Sequence, residues 1–180
     1  MAYEEATYNL VHQDDIYEIR NYNNRLAIQY TYTDEDNGFR KLFKYISGDN
    51  IDSTKINMTT PVTQSTKISM TTPVIQSNDN GVKIMQFYLP SKFTKKNAPV
   101  PISKELDLII IEGGHYAVLK YSGRSTDKNF DKYKELLKYE LLKDKIEILS
   151  PAIKATYNGP FTLPFLRRNE AMFRVVWKKN

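Results

Sequence analysis

Apolar and polar residues alternate along much of this chain, and two stretches replace that alternation with a helical period. Ile16 to Tyr22 and Arg25 to Thr33 carry the two-residue period of extended strands. Asn23-Asn24 between them is a turn dipeptide whose side chains tolerate left-handed backbone. Phe39, Leu42, Phe43 and Ile46 fall at i, i+3, i+4 and i+7, one apolar stripe that predicts a helix over about 36–47. Gly48 supplies its stop. Val82 to Leu89 reads as a further strand, preceded by the turn signal Asn78-Asp79-Asn80-Gly81.

After a Lys- and Pro-rich connector from Pro90 to Pro101, the pattern starts again. Leu106 to Ile111 is a β-prone run, Gly113-Gly114 makes a tight turn, and His115 to Tyr121 is expected to return as its partner strand. A second helix is predicted over about 126–143, with Thr126 as N-cap and Phe130, Tyr133, Leu137 and Leu141 inward. Ala152 to Tyr157 and Ala171 to Trp177 read as the last strands. The order strand, strand, helix, strand, strand therefore occurs twice. Each half leaves one sheet face bare unless it packs on its twin. The expected fold is α+β: one domain over 1–180, a distorted β-barrel of two ββαββ pseudo-repeats (about 16–90 and 106–178), with two helices packed outside. Its pseudo-two-fold cleft is a natural ligand site, expected to be hollow and aromatic-walled.

One block departs from ordinary patterning. Residues 53–64, Ser-Thr-Lys-Ile-Asn-Met-Thr-Thr-Pro-Val-Thr-Gln, recur almost unchanged over 65–76, with only Asn57/Ser69 and Thr63/Ile75 differing. Both copies read as strands running into a Pro, so edge or bulged strands are expected, with a hairpin turn near Gln64-Ser65. Met58 and Met70 lie in these strands, where Met most often fills a core.

Composition narrows the chemistry. The chain has no Cys, which excludes disulfides, thiolate metal sites and Cys nucleophiles. The net charge of +5 is spread over scattered Lys and Arg, so it indicates solvation and not a nucleic-acid surface. No apolar run is long enough to span a bilayer, and the acidic N-terminal residues do not resemble a secretory signal, so a cytoplasmic protein is expected. There is no nucleophile elbow, no phosphate-cradling Gly loop and no His-x-x-x-His spacing, so an enzyme is not expected.

Four motifs, in this order, resemble the SOUL haem-binding family. They are Tyr17-Glu18-Ile19-Arg20 with Tyr22, then Phe39-x-x-Leu42-x-x-Tyr45-Ile46-x-Gly48-x-Asn50, then Lys55-Ile56-x-Met58-Thr59-x-Pro61-Val62, and finally Tyr157-Asn158-x-Pro160 through Arg167-Arg168-Asn169-Glu170. The resemblance implies non-covalent binding of haem or another tetrapyrrole by a carrier, buffer or sensor. It places the pocket along the first helix and the C-terminal loop.

Haem is a flat apolar plate with anionic propionates, so its holder needs an apolar slot and cations at one rim. Candidate lining residues are Phe39, Leu42, Phe43 and Ile46 on the helix, and Phe161, Leu163 and Phe165 in the loop. Each set also has a plain structural reading: the helix stripe as core, the loop as a plug for the barrel end. Arg167 and Arg168 either meet propionates or form ion pairs with Glu170 or Glu18. Lys41 and Lys44 are further candidate partners for propionates, and a solvated helix face accounts for them equally well. Some family members carry His after Tyr-Glu-Ile-Arg; this chain has Asn21, which does not ligate iron usefully. His115 is the remaining weak candidate for an axial ligand, so binding without strong axial coordination is expected. The alternative is a regulatory or protein-interaction domain that does not bind haem.

Overall fold

The computed structural model describes residues 4–32, 38–66, 83–159 and 161–178. The expected helix start at 36–37, the turn at 78–81, the strand start at Val82 and the second copy of the repeat from Lys67 onward lie outside the described residues.

The strands are β1 (Glu4–Glu5), β2 (Tyr8–Gln13), β3 (Glu18–Tyr22), β4 (Arg25–Tyr32), β5 (Thr59–Thr60), β6 (Val62–Thr66), β7 (Lys83–Tyr88), β8 (Leu106–Ile111), β9 (Gly114–Tyr121), β10 (Ile153–Thr156) and β11 (Asn169–Arg174). Helices α1 (Gly38–Ile46) and α2 (Asp127–Lys143) complete the fold. Nine strands form one sheet in the order β2-β3-β9-β11-β10-β6-β7-β4-β8, and β1 pairs with β5 in a short parallel ladder. No helix among the described residues is long and apolar enough to cross a membrane.

Period-2 alternation gives this sheet two different faces. On β4, Leu26, Ile28 and Tyr30 pack with Leu42, Tyr45 and Ile46 of α1 and with Met85 and Phe87 of β7. On β9 and β11, Ala117, Leu119, Tyr121, Ala171 and Phe173 pack with Leu137 and Leu141 of α2. The pairings Tyr121↔Asn169, Asn169↔Thr156, Thr156↔Val62 and Val62↔Phe87 run across the sheet and put both helices on the same face. Leu42, Tyr45, Leu137 and Leu141 are fully buried there. Each of these leucines contributes about 1.5–3 kcal/mol relative to exposure.

The opposite face carries Tyr22, Arg25, Tyr88, Ile111, Tyr116, Ile153, Tyr157 and Met172, which line one cavity. These residues come from strands at both ends of the sheet order, so the sheet curls with this face inward. The architecture is a distorted β-barrel with both helices outside, as expected.

The pairing of the strands differs from the expectation. Leu106–Ile111 does not pair with Gly114–Tyr121; β8 pairs with β4 and β9 with β3, both antiparallel. The cause is the approach of two turns. The Gly113 N–H donates to Asn24 Oδ1 at 2.7 Å, and a Cβ at Gly113 would sit 2.3 Å from the Tyr22 carbonyl oxygen. The turns lie back to back, and the four strands leaving them exchange partners. The first copy of the repeat also differs. β6 lies between β10 and β7, not at an edge, because Pro61 precedes it and takes no place in its ladder. Its pairing continues through Ser65↔Ile84 and Thr66↔Lys83, so no turn occurs at Gln64-Ser65.

Both helix ends follow from local sequence. Thr126 caps α2 by accepting the Asn129 N–H, and Gly48 ends α1 at φ 115°, where a side chain would be strained. Asn50, fully buried, donates to the Tyr45 and Thr54 carbonyls and accepts the Thr54 N–H. It thereby fixes the turn after α1.

Candidate functional site

The inward face carries a buried ionic network. Arg20 on β3 and Glu170 on β11 are fully buried and joined by two hydrogen bonds of 3.0 and 3.1 Å. Tyr157 donates to Glu170 at 2.6 Å, and Arg20 donates to the Tyr22 hydroxyl at 3.0 Å and to Glu18 at 2.7 Å. Burial pushes the Tyr22 and Tyr157 hydroxyls well above the usual phenol range. Burial also pulls the Glu18 carboxyl up, but hydrogen bonds from Lys120 and Arg20 outweigh it and hold the group below its ordinary value.

Arg168 completes the network. It donates to Glu170 at 2.9 and 3.0 Å and to Glu5 at 3.0 Å, and its guanidinium stacks 3.8 Å from the centre of the Tyr157 ring. Of the two roles open to Arg168 in the sequence, the structure shows the ion pair with Glu170. Glu18 is taken by Arg20 and Lys120 instead. Arg167 Nε donates to the Thr162 carbonyl at 2.7 Å, tying the loop onto itself.

Beside this network is the cavity, about 30 Å³ in volume. That space holds a water or two. A site that encloses a drug-sized ligand needs about 300 Å³ or more. The wall is aromatic as expected, but the ligand-sized hollow expected behind it is not there: the enclosed space is too small for a ring. Tyr22 meets Tyr116 edge-on at 5.6 Å, and Arg25 stacks 4.3 Å over the Tyr88 ring.

A larger groove of about 1110 Å³ runs along α2. One helical stripe, Asp127, Asp131, Lys134, Lys138 and Leu142, forms its wall. Lys134 pairs with Asp131 at 2.7 Å, and Lys154 with Asp127 at 2.9 Å. Acids at its start and lysines further along line it, which suits water better than an apolar plate.

The residues singled out in the sequence fall into three places. Leu42 and Ile46 are core beneath α1. Phe39 and Phe43 lie at the margin of that helix, 41% and 48% exposed, with rings stacked at 5.9 Å, and Phe39 also meets the buried Phe87 of β7 edge-on at 5.2 Å. Phe161, Leu163, Phe165 and Leu166 face solvent at 98%, 55%, 69% and 64% exposure. The loop does not plug the barrel end. It joins β10 to β11, whereas α1 packs on β4 and β7, so the strand β6 separates the two sets in the sheet.

His115 is half-buried on β9. Its neighbour Tyr116 lines the cavity, so the alternation of the strand turns His115 to the other face. His12 packs against Trp177, ring centres 5.1 Å apart. Among the described residues, no group of three or more His, Cys, Asp or Glu is placed to hold a metal ion.

Sequence reasoning missed Arg25, Tyr88 and Tyr116. The signal for Arg25 was its place in register with Ala27 and Gln29, on the face of the strand opposite Leu26, Ile28 and Tyr30.

Residues 3–174 match the family described as SOUL heme-binding protein. No curated protein matches the chain. Solved structures share its fold at low identity. The EcmrR C-terminal domain superposes with a TM-score of 0.64 at 10% identity, covering 94% of this chain and 98% of that one. A protein described as a hydrolase from Listeria innocua gives 0.62 at 9%, covering 89% and 92%. SAV2435, bound to tetraphenylphosphonium, gives 0.52 at 12%, covering 89% and 93%.

Proposed function

The chain belongs to the SOUL heme-binding family, and we propose that it binds haem or another tetrapyrrole non-covalently, as a carrier, buffer or sensor. The observation that carries this reading is the 161–166 loop, with four large apolar side chains held in water. Burying them against a flat apolar ring removes that exposure, at roughly 25 cal/mol per Å² of apolar surface covered. Arg167 and Arg168, at the C-terminal end of the loop, supply the cationic rim for propionates. Arg168 does so while shared with Glu170 and Glu5, and Arg167 while bonded to the Thr162 carbonyl. Phe39 and Phe43 offer a second, smaller apolar surface on α1. Leu42 and Ile46 act from beneath, by fixing the helix that presents it.

The central cavity does not enclose the ring in this reading, because its volume is about a tenth of what enclosure requires. The His115 carbonyl accepts the Val175 N–H and His12 packs on Trp177, at the end of β11 away from the loop, so ring packing and rim charge hold the ligand, without strong axial coordination.

The test is mapping by amide chemical shifts with zinc protoporphyrin. Saturable shifts concentrated in residues 161–168 support the proposal. Shifts concentrated along the α2 groove, or none, overturn it.

A second reading uses the same loop as a docking surface for another protein. The exposure of Phe161 in the absence of a ligand-sized hollow favours it. A porphyrin that leaves the loop amides unmoved decides for this reading.

A further inference from the structure

The inward cavity contains an unmet donor. Arg25 stands at the start of β4, its guanidinium over the face of Tyr88, and its Nη1 is buried with no hydrogen-bond partner. A ring face attracts the charge but accepts no in-plane N–H. The hydroxyls around it are engaged elsewhere: Tyr22 with Arg20, Tyr157 with Glu170, and Tyr116 with the Glu112 carbonyl at 3.2 Å. Burial presses the Arg25 guanidinium toward its neutral form, and Tyr88, Glu4, Tyr22 and Tyr157 oppose this only in part. Arg25 is half-buried as a whole, but a buried N–H of a guanidinium is costly unless an acceptor meets it.

The surroundings specify the acceptor. The lining is apolar or aromatic apart from Arg25, Asn23 and Glu112, and the Glu112 carboxylate is paired with Arg174 at 3.1 Å. One guanidinium in an aromatic wall fits a planar monoanion, which it grips with parallel N–H donors. A phosphate dianion would need a second unpaired cation, and Glu112 would repel it. The enclosed space of about 30 Å³ suits a carboxylate head, and the cavity opens to solvent, so the ring of the acid lies at its mouth.

We propose that the Arg25 cavity is a binding site for the carboxylate of a small aromatic monoacid, separate from the surface assigned to the tetrapyrrole. The carboxylate takes Nη1 of Arg25, and its ring lies among Tyr22, Tyr88 and Tyr116. The cavity thus selects an anion, although the same fold in SAV2435 is seen with the cation tetraphenylphosphonium.

Titration with benzoate, against its neutral analogue benzamide, tests this by NMR of the arginine Nε–Hε and tyrosine ring signals. Benzoate is expected to shift the Arg25 and Tyr88 signals saturably, and benzamide is not. Arg25→Met should weaken benzoate binding at least tenfold, with a Tm at or above that of the parent chain because it removes a buried donor that has no acceptor. Arg25→Lys keeps the charge without the planar fork and should fall between the two. Equal binding of benzoate and benzamide, equal benzoate binding by all three proteins, or no benzoate binding at all would overturn the site. None of these outcomes bears on porphyrin binding at the 161–166 loop, which is read separately by its amide shifts.

Discussion

Arg20 and Glu170, 150 residues apart in the chain, meet as a fully buried two-bond ion pair that fastens β3 to the far side of β9. Each belongs to a family motif, one near each end of the chain. Breaking such a pair from one side leaves a charge without a partner, which costs about 3–5 kcal/mol. Glu170→Gln should therefore lower the stability measured by urea unfolding by that amount. Arg20→Met combined with Glu170→Met should lose less than Glu170→Gln alone, since no unpaired charge remains. A double variant less stable than the single one would contradict this account.

Acid should weaken the fold through Glu18. Its folded-state pKa lies below its unfolded value, because hydrogen bonds from Lys120 and Arg20 outweigh burial. The stabilisation is therefore complete above the unfolded pKa, about 4.3, and is lost as pH falls from there through the folded value. Urea midpoints measured from pH 6 down to pH 3 should fall more steeply for the parent chain than for Glu18→Gln. Parallel curves would show that Glu18 is not the linked group.

Gly113 should tolerate no side chain. A Cβ there meets the Tyr22 carbonyl oxygen at 2.3 Å and the Asn23 carbonyl carbon at 2.9 Å, both of them backbone. Backbone cannot rotate away as a flexible side chain does, so the two turns must separate. Gly113→Ala should cost more than the roughly 1 kcal/mol typical of a point substitution, whereas Gly159→Ala, with open space around it, should stay within about 0.5 kcal/mol. Thermal unfolding of the two variants reads the contrast.

On α1, the apolar stripe should split in its response. Leu42→Ala removes a fully buried side chain and should cost about 2–5 kcal/mol. Phe43, half exposed, contributes mainly its stacking on Phe39 and should cost about 1 kcal/mol or less when replaced by Ala. Similar losses at the two positions would mean that the stripe packs as one unit.

The sequence made the elements legible but not their partners. Periodicity located β3, β4, both helices and β7 to β11 to within a few residues. It missed β2, whose residues Tyr8 to Gln13 are exposed at every position but one and so carry no alternation. It also paired neighbours in the chain, whereas Tyr22 pairs with Gly114 and Arg25 with Ile111. That exchange is decided by the packing of two turns, a long-range contact that no local pattern encodes. The family motifs proved to hold residues that fasten the scaffold: Arg20, Asn50, Asn158, Arg168 and Glu170 all form structural hydrogen bonds. The exposure of the 161–166 side chains lay beyond sequence reasoning, because a Pro-bounded apolar loop is equally suited to plugging a barrel end.

The proposed tetrapyrrole surface is tested most directly by a haemin titration followed at the Soret band, comparing the parent chain with a Phe161→Ala/Phe165→Ala double variant. Both side chains are largely in water, so the variant should fold as the parent does. A saturable Soret shift for the parent at micromolar protein, weakened at least tenfold in the double variant, is the predicted result. No saturable shift in the parent, or identical titrations for the two proteins, would contradict it.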